Sequence, residues 1–389
     1  MDKIEEALTR GVQQVLPNKK DLASLMAKRK IKLYQGFDAS APSLHLGNYA
    51  GLMKLRQFQK LGHEIIFLVG DFTGMIGDPS DKLSARPKLT REQVVKNSKA
   101  YKEQASKVLS FDGENPAKIM FNSSWSDKIT FQDLIEITSN FTVQQMIERD
   151  MFQERLKNRE PIYLHEFLYP VAQANDSVVM DVDLEIGGND QLFNMMAGRT
   201  LMGAMSKKEK FVLTTKLLID KEGKKVGKTT GNALFLDSKP EEFYAGIMSF
   251  PDEVIYLSFE LLTEVDLVGL EEKINKNPME MKKELAFEVV KILWGNEKAL
   301  EASNSFKETF QEKLTPKNIK IVKTTEKSLP LLDLIFITKE VSSRSEAKRL
   351  ISQNAIDING KLSSDPTKEI EIPVNIKIGK SKFVKIVRK

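Results

Sequence analysis

The chain has no cysteine and only three histidines, His45, His63 and His165, among 389 residues. The first absence excludes disulfides, thiolate metal sites and cysteine nucleophiles, and it fits a reducing compartment. The second leaves a multi-histidine metal centre without ligands. No apolar run approaches the roughly 20 residues that span a bilayer. The opening residues, MDKIEEALTRGVQQVL, are amphipathic and mixed in charge and lack the apolar core of a signal peptide. The expectation is a cytoplasmic protein with no membrane partner. There is no internal repeat of fixed period and no low-complexity tract.

What is present bounds the architecture. With 41% hydrophobic composition the chain can bury a large core and should divide into two or three domains. The net charge of +5 is unevenly placed: from Lys339 to Lys389 twelve Lys and Arg face six Asp and Glu, so the preceding residues sum to about −1. A basic C-terminal end on a near-neutral body points to a polyanionic partner. A solvated basic tail would have the same composition.

The stretch ending at Asp78 organises the rest. KLYQGF reads as a strand, followed by turn residues and a loop holding HLGN. The next segment carries Leu52, Leu55, Phe58 and Leu61 at helical spacing, and EIIFLVG is a continuous apolar run of strand length. An apolar run of that kind suits a strand buried on both faces. Strand–helix–strand is the unit of a doubly wound parallel sheet, whose ligands lie at the carboxyl ends of the strands. Gly36, Asp38, His45, Gly47, Gly70 and Asp78 fall there.

Residues 1–30 read as a helix, a linker broken at Pro17-Asn18, and a second helix after Asp21. PSDKLSARPKL has no hydrophobic periodicity and reads as a polar loop carrying Lys82 and Arg86. Thr90 caps the helix after it, with Gln93 at the capping-box position. KIMFNSSW suggests a short strand and turn. Residues 129–157 read as helical and rich in Phe, Met and Ile, either core or a dimer surface. Tyr169, Gln173 and Asp176 stand at i, i+4 and i+7, so a helix puts a phenol, an amide and a carboxylate on one face. Such groups must face water or line a polar pocket. Pro170 suggests that Tyr169 lies near a helix start or a kink. VVMDVDLEIGG returns to strand character and delivers Asp190-Gln191 to a strand end. FVLTTKLLI, 211–219, reads as a further strand.

DKEGKKVGKTTGNALFL is a glycine- and lysine-rich loop, either a phosphate contact or a solvated basic turn. It is not a P-loop, because the glycine required five residues before Gly227 is Glu222. From Lys239 to about Lys323 the composition is helical, with Asn277 as N-cap, Pro278 at the first helical position and Gly295 as stop. The last module reads as two short helices, around Leu331–Ile337 and Ser343–Gln353, then β-like AIDING, VNIKIG and KFVKIV.

Two motifs then carry a resemblance. HLGN at His45–Asn48 resembles the HIGH signature of class I aminoacyl-tRNA synthetases, and KVGKT at Lys225–Thr229 resembles their KMSKS loop. With Tyr34, GFD, Gly77-Asp78-Pro79, YPxxQxxD and GGxDQ, the chain is similar to bacterial tyrosyl-tRNA synthetases over nearly its full length. DQLFN from Asp190 leans toward their second bacterial subtype. The resemblance implies an α/β fold: a Rossmann-like parallel-sheet catalytic domain over 1–236 with a helical insertion. An α-helical anticodon-binding domain over 237–323 and a small α+β RNA-binding module over 329–389 would follow.

The same resemblance implies activation of L-tyrosine by ATP, with Mg2+ accompanying the ATP and no protein-bound structural metal. Transfer of the tyrosyl group to tRNA would follow, with the helical domain and the basic module gripping the tRNA of a homodimer. It assigns Tyr34 and Asp176 to the substrate phenol, and Tyr169, Gln173 and Asp78 to its ammonium, with Gln191 near the reacting carboxylate. Asp38, Ser40, His45, Gly47, Asn48, Asp190 and Lys228 would bind ATP, His45 through its phosphates and Asp190 through the ribose. Lys225, Lys228, Thr229, Lys82 and Arg86 would stabilise charge growing on pyrophosphate. Asn48 stands where HIGH has its second histidine, Val226 and Gly227 where KMSKS has Met and Ser, Ser40 where threonine is common, and Asp81 where glycine is common. A same-fold nucleotidyltransferase, a catalytically inactive RNA-binding relative and the sibling tryptophan enzyme are the competing readings. The acidic Asp176 beside Tyr34 suits a phenol better than an indole.

Overall fold

The computed structural model describes residues 2–80, 89–222, 224–226, 233–308, 320–379 and 382–388. The chain divides into two compact units, one of Met1–Lys239 with Gly246–Asn296, the other of Pro240–Ala245 with Glu297–Lys389.

The first unit is built on six strands: β1 (Val12–Leu16), β2 (Lys32–Asp38), β3 (Glu64–Gly70), β4 (Lys118–Phe121), β5 (Leu184–Gly188) and β6 (Phe211–Thr215). Their spatial order is β1-β6-β5-β2-β3-β4. β2 to β6 pair in parallel, and β2 and β3 are in register from Lys32 opposite Glu64 to Asp38 opposite Gly70. The chain runs outward from β2 to β3 and β4, then returns to the other side of β2 with β5 and β6. That reversal makes the carboxyl ends of β2 and β5 the place where a doubly wound sheet binds its ligand. The expected αβ architecture is therefore present.

The helix joining β2 to β3, Leu46–Lys60, buries Leu46, Tyr49, Leu52, Leu55 and Phe58. In β3 every residue after Glu64 is buried, as the apolar run requires. Thr90 and Gln93 form the expected capping box, and Asn277, Pro278 and Gly295 bound the helix Pro278–Trp294. Several local expectations change. Residues 1–30 contain β1, which pairs antiparallel with β6 through Val15 opposite Leu213 and Leu16 opposite Val212. The helix after it starts at Lys19, two residues before Asp21, on an Asn18 cap. Residues 129–157 hold three short helices, Phe131–Thr138, Val143–Ile147 and Asp150–Lys157; Thr130 and Thr142 cap the first two, and the third follows the extended Arg149 without a side-chain cap. Pro170 lies inside the helix Leu164–Met180, which takes in all of VVM, and the strand of residues 211–219 stops at Thr215.

Arg10 fastens the N-terminal helix to the end of the helix Ile255–Leu262. Its guanidinium donates to the carbonyls of Phe259, Glu260, Thr263 and Val265 at 2.8–3.1 Å. These bonds satisfy carbonyls that a helix end leaves unpaired. They are one reason why residues 246–296, helical by composition, belong to the same compact unit as the sheet.

The second unit carries β7 (Lys320–Thr324), β8 (Ser328–Pro330), β9 (Ile356–Ile358), β10 (Lys361–Leu362), β11 (Glu369–Glu371), β12 (Val374–Ile378) and β13 (Lys382–Arg388). Five form a sheet in the order β10-β9-β12-β13-β7, with β8 and β11 paired separately. The helices Leu331–Ile337 and Arg344–Ser352 pack Leu331, Leu334, Ile335 and Ile351 onto Ile356, Ile376 and Ile386. β12 alternates, with Val374, Ile376 and Ile378 buried. β7 pairs with β13, so the sheet takes in residues upstream of 329.

Candidate active site

Four chain segments converge at the switch point. β2 ends at Asp38. β3 ends at Gly70 and leads through the turn Thr73–Ile76 and Gly77, at φ +80°, to Asp78. β5 ends at Gly188 and continues into the turn Asn189–Gln191. The helix Leu164–Met180 presents Tyr169 and Asp176, both buried, with Gln173 half-buried between them. Gly70 is needed here, since a Cβ would collide with the Asp38 carboxylate and Thr73 Oγ1.

One end of the site is a buried phenol and carboxylate. Tyr34 is 0% exposed, and its hydroxyl lies 2.9 Å from Ser177 Oγ. Burial, reinforced by the charges of Glu185 and Asp176, pushes its pKa well above the ordinary tyrosine value. Asp176 is 2% exposed. Its oxygens accept from Trp125 Nε1 at 2.8 Å and Asn122 Nδ2 at 3.2 Å. Burial nevertheless raises the carboxyl to about 8, with Asn122 and Trp125 opposing the shift. The cost of burying a charge exceeds what two neutral donors return.

A polar chain runs on from Asp176. Asn122 Nδ2 also donates to Thr73 Oγ1 at 3.1 Å, and Thr73 donates to Asp38 at 2.6 Å. Tyr169 donates to the other Asp38 oxygen at 2.9 Å. Asp78 accepts from Gln191 Nε2 at 2.6 Å, from the Ser80 amide at 3.0 Å and from Asn194 at 3.5 Å. The buried Arg149 donates to Ser80 Oγ at 2.6 Å and stands 3.9 Å from the Asp78 carboxylate. Gln173 donates to Glu185 at 2.8 Å. The structure thus couples Tyr169 to Asp38, Gln191 to Asp78 and Gln173 to Glu185.

On the other side lies the HLGN motif. His45 is the N-cap of the helix Leu46–Lys60: its Nδ1 accepts from the Asn48 amide at 3.2 Å, and Asn48 Oδ1 accepts from the His45 amide at 2.9 Å. With Nδ1 an acceptor, the neutral ring carries its proton on Nε2. Asn48 therefore has a structural reason to stand where HIGH has histidine, because it completes a capping box. The Leu46 amide donates to the Leu234 carbonyl at 2.9 Å, and the Leu236 amide to Leu44 at 2.8 Å. These bonds tie HLGN to the last residues of the glycine- and lysine-rich stretch. Lys225 Nζ pairs with Asp190 Oδ2 at 2.7 Å, in the turn after β5. Ser40 and Gly47 are exposed beside β2 and the helix start. Lys82, Arg86, Lys228 and Thr229, with Asp81, lie outside the described residues.

Sequence reasoning missed Thr73, Asn122, Trp125, Arg149, Ser177, Glu185 and Lys210. Asn122 and Trp125 follow the carboxyl end of β4, so the strand-end rule could have flagged them. Lys210 had no such signal, standing in a charged run after Lys207, Lys208 and Glu209. Among the described residues there is no group of three or more histidines and carboxylates suited to hold a metal ion, and no helix long and apolar enough to cross a membrane.

A parallel sheet with HLGN capping the first crossover helix, and a carboxylate-bearing turn after β5 paired to the lysine-rich loop, defines the catalytic domain of a class I aminoacyl-tRNA synthetase. The family model described as tRNA synthetases class I (W and Y) matches residues 26–311. The tyrosine–tRNA ligase of Aquifex aeolicus is 40% identical over 381 residues, covering 97% of this chain and 96% of that one. Tyrosine–tRNA ligase 2 of Clostridium acetobutylicum is 36% identical over 402 residues, covering 100% and 99%. The solved mitochondrial tyrosyl-tRNA synthetase of Aspergillus nidulans, truncated at its C-terminus, has the same fold, with a TM-score of 0.68 at 22% identity, covering 79% of this chain and 94% of that one. The chain belongs to the class I tRNA synthetases, on their bacterial tyrosyl branch.

Proposed function

We propose that this chain is a tyrosine–tRNA ligase that recognises its substrate from both ends. The tyrosine carboxylate attacks the α-phosphorus of ATP, the new carboxyl–phosphate bond forms as the bond to the β-phosphate breaks, and pyrophosphate leaves. The 3′-terminal ribose hydroxyl of tRNA then attacks the carbonyl of the adenylate and AMP leaves. The first step needs no base, because the carboxylate is already ionised at neutral pH. What it needs is two anions brought together and charge stabilised on the leaving group.

The observation that carries the reading is the buried pair of Tyr34 and Asp176, the latter held by Trp125 and Asn122. A hydroxyl and a carboxylate sunk this deep discriminate for a substrate with a hydroxyl, since an analogue without one leaves them unpaired. Tyr169, Gln173 and Asp78 take the ammonium and Gln191 the reacting carboxylate. Asp38, Ser40, Gly47, Asn48 and Asp190 hold ATP and its Mg2+ as one substrate complex. His45 meets the phosphates through its Nε2–H. Lys225, with Lys228, Thr229, Lys82 and Arg86, follows the charge onto pyrophosphate. Lys225 exchanges Asp190 for phosphate as it does so.

The tRNA is held by the helical segment and by the C-terminal module, whose boundary we set before Lys320 because β7 completes its sheet. The working form is a cytoplasmic homodimer. Phe131, Val143 and Leu164, 79%, 71% and 80% exposed, supply the apolar surface for a second copy. The test is amino-acid-dependent ATP–pyrophosphate exchange with tyrosine, phenylalanine and tryptophan. Exchange with tyrosine above the other two is expected. No exchange with any of them would sink the ligase reading and favour a purely RNA-binding role.

A further inference from the structure

We propose that Lys210, acting through Ser177, is a positioning residue that orders the hydrogens of the phenol-recognising pair and so sets the preference for tyrosine over phenylalanine. The inference rests on the reading that Tyr34 and Asp176 hold the substrate phenol.

Lys210 is 0% exposed at the start of β6, and its ammonium has three hydrogens and three acceptors. They are Ser177 Oγ at 2.9 Å, the Met195 carbonyl at 3.1 Å, and Glu185 Oε2 in a close ion pair. Burial pushes the ammonium pKa down, with the Glu185 charge opposing it. Gly198 leaves the room, since a Cβ there would collide with Lys210 Nζ and crowd Ser177 Oγ.

Two consequences reach Tyr34. A hydroxyl that accepts from a cation is polarised into a better donor and a poorer acceptor of a second hydrogen. Of the two senses open to the 2.9 Å contact between Ser177 and Tyr34, donation by Ser177 is the one favoured. That frees the phenolic hydrogen of Tyr34. The competing acceptor is Glu185, whose charge and side-chain hydrogen bond both favour the protonated phenol of Tyr34. Each of its oxygens already accepts one hydrogen, Oε2 from Lys210 and Oε1 from Gln173, so it holds a further hydrogen weakly and yields it to the substrate oxygen when tyrosine binds. The freed hydrogen is then donated to the substrate oxygen, and the substrate hydroxyl donates to Asp176. The relay reads Lys210 to Ser177 to Tyr34 to tyrosine to Asp176, each group donating once in one direction. No bond other than a hydrogen bond is made or broken.

Phenylalanine has no oxygen at the receiving end of this relay, so it is an internal control. Exchange kinetics on the full-length chain with Ser177→Ala and Lys210→Met should show tyrosine KM raised roughly tenfold. Phenylalanine use and ATP KM should stay unchanged. A double-mutant cycle between Ser177→Ala and Lys210→Met should be non-additive, because both cut one chain. Ser177→Ala keeps the ion pair, so it tests the relay even where Lys210→Met fails to fold. Unchanged tyrosine-to-phenylalanine preference in Ser177→Ala would overturn the proposal. So would equal loss of tyrosine, phenylalanine and ATP use, which marks a structural role. If Tyr34→Phe and Asp176→Asn also leave the preference unchanged, the underlying pocket reading has failed; if they abolish it while Ser177→Ala does not, only the relay has.

Discussion

Replacing Asp176 by asparagine should make the protein relatively more stable as pH rises, at the expense of its substrate. The folded carboxyl titrates at about 8 because it is buried, whereas an unfolded aspartate titrates near 3.9. Between those values the folded state keeps a proton that the unfolded state has lost. Stability is therefore fully present below about pH 4 and falls by about 1.4 kcal/mol per unit as pH rises through 8. From pH 5 to pH 8 the wild type should lose about 4 kcal/mol that Asp176→Asn does not. The compact unit containing the site has about 290 residues, for which the unfolding entropy is about 0.6 kcal/mol/K, so the melting difference between the two proteins should move by about 6 °C. The asparagine also sets its amide against Asn122 Nδ2, a fixed offset of about 1–3 kcal/mol that cancels in the comparison of slopes. The assay is thermal unfolding of both proteins at pH 5, 6, 7 and 8, with tyrosine KM measured alongside. Ionised Asp176 accepts the substrate hydroxyl more strongly than the neutral acid does, so wild-type tyrosine KM should fall toward pH 8 while that of the variant stays high and flat. Melting profiles that run parallel would refute the claim that burial holds this carboxyl neutral.

Lys225→Met should lower the maximal exchange rate tenfold or more while leaving melting unchanged within a degree or two. Its pair with Asp190 has side chains 29% and 18% exposed, and a pair so near water is worth roughly 1 kcal/mol or less. A rate equal to wild type in steady-state kinetics would remove Lys225 from the pyrophosphate path. Removing residues 320–389 should spare tyrosine-dependent exchange and depress tRNA charging most at low salt, leaving a shallower salt dependence than the full chain shows. The cut belongs before β7, because ending the chain at 328 would leave that strand without β13. Charging that survives the truncation at moderate salt would show that the module does not grip tRNA.

Much of the first unit was legible because its signals are local. The strand–helix–strand of 32–70, the Thr90 and Asn277 caps and the polar stripe Tyr169–Asp176 each depend on residues a few positions apart, where hydrophobic period and capping chemistry act. β1 was not legible: VQQVL has two central glutamines and reads equally as a helix end, and only β6, some two hundred residues on, gives it a ladder. The same holds for residues 129–157, whose composition is helical throughout but which the caps at Thr130 and Thr142 and the extended Arg149 divide into three helices.

The site divides in the same way. The amino-acid sequence alone determined the class, through its two signature motifs, and the residue types on offer, because both are read within a few positions along the chain. Only the tertiary structure decided which groups meet: Tyr34 with Ser177, Asp38 with Tyr169, Asp78 with Gln191, and Glu185 with a buried Lys210. Those partners are 143, 131, 113 and 25 residues apart. No periodicity encodes such pairings. Burial makes them obligatory, since a polar group taken out of water must find a partner wherever the fold brings one.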